Sequence, residues 1–166
     1  MMTAHELFGF MSPKLANEII EWSFSEEKQT YKVALHSVAA AKKVRPVFLE
    51  RQARPQRHAA MIQALARPVL EQAAATLLRT WLTKAQTSVL CDFLDALELK
   101  HDKGVLENLP ESVDDAKLNH AITALLAKHR QEVVAVYLNA FNSMNETSWQ
   151  NLDALLKADE RLQLHG

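Results

Sequence analysis

From Met61 onward, apolar residues recur every four positions. Met61, Leu65, Val69, Ala73, Leu77 and Trp81 form one row, and Ile62, Ala66, Leu70, Ala74, Leu78 and Leu82 run beside it. An α-helix turns once in about 3.6 residues, so two such rows make one apolar face, which a period-two strand cannot present. The rows pass Pro68 without a change of phase. This favours one helix over about 57–84, kinked where Pro68 has no N–H to donate to Ala64; the alternative is two helices meeting at Pro68. Leu77 falls on the buried face. Glu71 falls on the opposite one, where truncation is expected to cost little.

Composition extends the helical reading to the whole chain. Only three glycines occur among 166 residues, and Gly9 and Gly166 lie near the ends. Tight hairpins draw on glycine for left-handed backbone, so the composition disfavours a hairpin-rich fold. Ser12-Pro13 marks a helix start, with serine as cap and proline in the first turn. Ser25 is the expected cap of the next helix, whose stripe is Tyr31, Ala34, Leu35 and Val38. Pro46 and Pro55 bound a short helix over 46–53. Thr87 or Ser88 caps a helix carrying Val89, Leu90, Phe93, Leu94 and Leu97, with Gly104 as its stop. Ser112-x-x-Asp115 and Thr147-x-x-Gln150 read as capping boxes for two later helices, and "KHRQ" at 128–131 separates another pair. The expected fold is all-α: one domain over 1–166, an irregular bundle of seven or eight helices with one long, proline-kinked helix. Residues 1–11 are an apolar N-terminal segment that docks on the bundle or contacts another chain. Trp22, Trp81 and Trp149 are assigned to the core.

The formal net charge of −1 conceals two opposed stretches. Residues 42–67 carry seven Lys/Arg against Glu50, and residues 92–115 carry eight acids against Lys100 and Lys103. Such stretches attract each other within a fold or between copies, or mark separate partner faces. Lys42, Lys43, Arg45, Arg51, Arg54, Arg57 and Arg67 are the candidate anion-binding residues, since phosphate binding needs clustered cations. Three Arg-Pro pairs (45–46, 54–55 and 67–68) put arginines at helix starts or a kink. No RNP pattern, zinc spacing or recognition-helix turn accompanies them, and the chain is slightly acidic overall. The stretch is therefore expected to be mainly a connector, with Phe48 and Leu49 packing it onto the core and its arginines paired inside the protein.

Catalytic and metal signals are weak. Glu98-x-x-His101 has the spacing of di-metal helical bundles, but no second such pair occurs. The remaining histidines show no ligand spacing. Cys91 is a lone cysteine in an apolar run and reads as a core residue, with no disulfide partner in the chain. There is no nucleophile elbow, phosphate-cradling glycine loop or dinucleotide fingerprint. No catalytic residue, metal or cofactor is assigned. The leading expectation is a cytoplasmic, non-catalytic protein-interaction or scaffold module, binding a protein partner or a second copy and no membrane. The alternative is nucleic-acid or other anion binding through 42–67. A helical enzyme with scattered site residues comes third.

Overall fold

The computed structural model describes residues 1–164. Among them are ten α-helices, two 3₁₀ turns and no strand. The all-α class matches the sequence reading, but the helix count exceeds the expected seven or eight. They form two compact units, Thr3–Trp81 and Leu82–Leu164 with Met1–Met2.

The N-terminal unit opens with α1 (Ala4–Phe10), which buries Leu7 and Phe8 while Phe10 stays half exposed. Next come α2 (Pro13–Glu26) and α3 (Lys28–Ala41). Ser12 caps α2 as expected, its hydroxyl accepting from the Leu15 N–H at 3.1 Å. Ser25 caps nothing, because α2 continues through it. The break between α2 and α3 is the single residue Glu27: its N–H donates to Ser23 and its carbonyl accepts from Tyr31, so both helices keep their ladders. The short α4 spans Pro46–Glu50, ending three residues before the expected 53, and α5 spans Arg54–Leu65.

The long kinked helix is not formed. α5 stops at Leu65, Arg67 is extended (φ −97°, ψ 145°), Pro68–Leu70 is a 3₁₀ turn, and α6 (Glu71–Ala85) starts afresh. Proline drives the residue before it out of helical geometry, and here that preference outweighs the apolar phase. The burial pattern shows how. Met61 and Leu65 are buried, but Val69, next in the same row, is 72% exposed. Leu70 and Ala74 take over the buried face, and Leu77, Leu78 and Trp81 continue it. The phase survives in sequence while the turn redirects it in space.

Glu71 does not lie on an idle face. Its carboxylate accepts from the backbone N–H groups of Ala4 and His5, each at 2.9 Å, and contacts His5 Nδ1 at 2.5 Å. It therefore caps α1 from α6, supplying an acceptor to N–H groups that have no helical partner. Burial raises its pKa, but those backbone and His5 bonds outweigh burial and hold the carboxyl below its ordinary value.

The C-terminal unit contains α7 (Thr87–Ala96), α8 (Asp115–Lys128), α9 (Gln131–Met144) and α10 (Gln150–Ala158). α9 packs against α7, α8 and α10 and is buried from Val133 to Ala140, so its apolar residues lie on every side. Phe93, Tyr137, Phe141 and Trp149 form a connected aromatic cluster with centroid spacings of 5.1–6.5 Å. Several expected caps move. Asp114, not Ser112, caps α8, accepting from Ala116 and Lys117. Thr147 is not the cap of α10. Trp149 holds that place, and its backbone is bridged by the buried Asn142 amide, which accepts from the Trp149 N–H and donates to its carbonyl. α7 ends at Ala96, well before Gly104.

Two helix ends share one feature. Lys43 after α3 and Glu98 after α7 adopt left-handed backbone, φ 57° and 59°. The next amide, Val44 or Leu99, bonds back to Ala39 or Leu94 at 3.0 Å. This is the closing geometry that glycine usually provides. In a chain so poor in glycine, a lysine and a glutamate occupy it.

Candidate functional site

Six of the seven candidate cations, all but the half-buried Arg57, are exposed, and they follow the punctuation of the helices. Lys42 is the C-cap of α3, and Lys43 is its left-handed closing residue. Arg45 is the N-cap of α4 and Arg51 its C-cap, so the two arginines bracket five residues. Arg54 opens α5, Arg57 lies one turn further on, and Arg67 precedes the Pro68 turn.

Their partners divide them into two groups. Arg54 forms a two-pronged bond to Glu21, Nη2–Oε2 at 2.6 Å and Nε–Oε1 at 3.2 Å. Arg57 donates through Nε to the Tyr31 hydroxyl at 2.7 Å and through Nη1 to the Glu50 carbonyl at 3.3 Å. Lys42, Lys43, Arg45, Arg51 and Arg67 have no side-chain hydrogen bond or ion pair among the described residues. The expected internal pairing thus holds for Arg54 alone, and its partner is Glu21 rather than an acid of 92–115. That acidic segment is engaged inside the C-terminal unit: Asp92 with His129 at 2.7 Å, Asp95 with His101 at 2.7 Å, and Glu98 with Lys117 at 3.2 Å. Glu98 and His101, the Glu-x-x-His pair, therefore face different partners.

The packing expectation for the connector is half met. Leu49 is fully buried, but Phe48 is 55% exposed. With Val44 and Val47 it lines a groove of about 600 Å³, and Arg45, Arg51 and Gln52 line it too. No pattern in the sequence distinguishes the outward Phe48 from the inward Leu49. α4 packs against α3 alone among its larger contacts, and it buries Leu49 there while Phe48, about 100° away around the helix, faces out.

Arg54 and Arg57 lead to a buried polar chain that sequence reasoning missed. His58 is completely buried. Its Nε2 meets the Tyr31 hydroxyl at 2.8 Å, and its Nδ1 meets Glu21 Oε1 at 3.0 Å. The bonds fix the proton positions. The Glu21 carboxylate can only accept, so Nδ1 of His58 donates to it; in the neutral ring Nε2 then accepts from the Tyr31 hydroxyl, whose oxygen accepts from Arg57. Burial lowers the His58 pKa and prevails over the Glu21 charge that would raise it. Burial also raises the Tyr31 pKa, against the opposing Arg57. Through the Tyr31 hydroxyl, the chain holds the Arg57 guanidinium in place. The one signal that could have shown the burial of His58 is spacing: it precedes Met61 and Leu65 on the same helical face.

Cys91 is half-buried, and burial together with Asp95 and Asp92 pushes its thiol up, away from the reactive thiolate. No helix among the described residues is long and apolar enough to cross a membrane. Comparison with known protein families, with curated proteins and with solved structures finds no match for this chain.

Proposed function

We propose that the chain is a non-catalytic binding module that engages an acidic protein partner through the corner formed by α3 and α4. One observation carries the reading: Arg45 and Arg51, exposed and without ionic partners, flank a groove lined by the half-exposed Phe48. An aromatic side chain left in water beside unpaired guanidinium groups has the composition of a contact surface, where aromatic residues and arginine are enriched. Lys42 and Lys43 extend the positive charge. Lys43 also keeps a left-handed backbone that glycine would adopt more easily, a conformational cost of the kind that persists at functional positions. A second copy has fewer free carboxylates to offer, because Asp92, Asp95 and Glu98 of its acidic segment already have partners. The absence of any second cysteine supports a reducing, cytoplasmic setting.

A second reading is single-stranded nucleic acid, favoured by the same exposed Phe48, on which a base can stack between cations. The test is a fluorescence-anisotropy titration of two labelled probes of equal charge, an acidic peptide with one phenylalanine and an oligonucleotide. The expected result is saturable peptide binding that Phe48→Ser weakens about tenfold or more, since losing an apolar anchor costs roughly 1.5–3 kcal/mol. Failure of the peptide to bind the native chain refutes the proposal. Tighter binding of the oligonucleotide, weakened by the same substitution, establishes the second reading.

A further inference from the structure

Beside the buried chain, the N-terminal unit opens into a cleft of about 700 Å³ that shares no lining residue with the α4 groove. This is within the size range of small-molecule sites. Phe24 and Tyr31 give it an aromatic wall, while Lys28, Lys32 and Arg57 face it with charge against the single acid Glu50. Three cations less one carboxylate leave two positive charges in excess.

Arg57 is the centre of the argument. Its guanidinium is half-buried, yet both its acceptors, the Tyr31 hydroxyl and the Glu50 carbonyl, are neutral. Removing a charge from water without an opposite charge is costly, and its neighbour Arg54 avoids this by pairing with Glu21. The same two bonds hold Arg57 in place, so an incoming anion would meet a donor that needs no further ordering. Lys28 and Lys32 stand one helical turn apart and repel each other, and neither has a carboxylate partner among the described residues. A single dianion relieves all three. The aromatic wall selects what the dianion is attached to. The open part of that wall is the half-exposed Phe24, whose ring meets the buried Tyr31 edge to face at 5.1 Å and has the Arg54 and Arg57 guanidinium groups 4.7 and 5.5 Å from its centroid; a flat ring packs well beside such an aromatic and guanidinium surface.

We propose that this cleft binds a small aryl phosphate monoester, with its phosphate on Arg57, Lys28 and Lys32 and its ring against Phe24 and Tyr31. The site is independent of the α4 groove, and either can stand without the other.

The test uses the full chain and three probes: phenyl phosphate, inorganic phosphate and phenol, followed by calorimetry and by amide chemical shifts. Phenyl phosphate is expected to saturate, at least tenfold tighter than either fragment, with shifts centred on residues 24–32 and 57. The double substitution Lys28→Gln, Lys32→Gln alters only exposed side chains, and it should weaken binding at least tenfold while circular dichroism is unchanged. Arg45→Gln with Arg51→Gln should leave phenyl phosphate affinity as it is. Absence of saturation, equal affinity for inorganic phosphate, or full affinity in the Lys28/Lys32 variant would overturn the proposal.

Discussion

Truncating Glu71 to alanine should loosen α1 and destabilise the N-terminal unit. The carboxylate supplies acceptors to two backbone N–H groups in the first turn of α1 and to the His5 ring, at 2.9, 2.9 and 2.5 Å. Losing a capping side chain costs about 1 kcal/mol, within a range of roughly 0.5–2. Bonds to a charged acceptor contribute more than neutral ones, but the Glu71 side chain is 35% exposed, so water replaces part of what is lost. The net expectation is about 1–2 kcal/mol. For a chain of this size that is roughly 2–8 °C in melting temperature, at about 2–4 °C per kcal/mol. Differential scanning calorimetry measures the shift. Native-state hydrogen exchange locates it, because the Leu7 and Met11 amides should lose protection before those of α2. The native carboxyl is held below its ordinary pKa of 4.5. The stability it contributes is therefore complete above that value and is lost as pH falls through the folded pKa, a dependence that the alanine variant should lack. A variant within 0.5 kcal/mol of the native chain, with unchanged exchange at α1, would refute the capping role.

Three further expectations follow from the packing. Because His58 is neutral with its pKa lowered by burial, the unfolded chain takes up a proton near pH 6.5 that the folded chain refuses. Stability should fall as pH drops through 6.5 toward the folded pKa, and urea melts at pH 7 and pH 5 should show a smaller loss in His58→Gln than in the native chain. Lys43→Gly should stabilise by about 0.5–1 kcal/mol in thermal melts, because relief of the left-handed backbone exceeds the added unfolded-state entropy. Leu77 is 1% exposed, so Leu77→Ala should cost about 2–5 kcal/mol, and a midpoint equal to the native chain would contradict its burial.

The all-α class and several helix starts were legible because these depend on local chemistry, although of the expected side-chain caps only Ser12 is found in place and α7 is preceded by Gln86 rather than capped by Thr87 or Ser88. Ser12-Pro13, the prolines at 46 and 55, and the break before Gln131 all act within a few residues, and the structure honours each one. The sequence misled where local and global preferences conflicted. At Pro68 an unbroken apolar phase argued for continuity, whereas the restriction on Arg67 forced a turn that turned Val69 outward. The cap expected at Ser25 failed because α2 runs on to Glu26 and passes its backbone ladder to α3 through Glu27, and the one expected at Thr147 failed because Asn142 holds Trp149 at the start of α10. The seven cations were visible from composition, but their pairing was not, since it depends on which carboxylates the fold brings within reach. Arg54 found Glu21, 33 residues away, and no pattern in the chain links the two. Tyr31 was legible only as a member of an apolar stripe, and His58 only as a histidine without ligand spacing. Their hydrogen bond is a product of α3 packing against α5.

Arg45 and Arg51 stand free beside Phe48, and the proposed acidic partner would pair with both. The most direct measurement is the salt dependence of acidic-peptide affinity for the native chain and for Arg45→Gln with Arg51→Gln. Exposed charges are screened over about 10 Å at 0.1 M salt, so affinity in the native chain should fall steadily as salt rises. The double variant should bind more weakly at low salt and show a flatter dependence, with its melting temperature unchanged because neither arginine supports the fold. Identical salt dependence in the two proteins, or a variant that melts lower, would show that these arginines serve the fold rather than a partner.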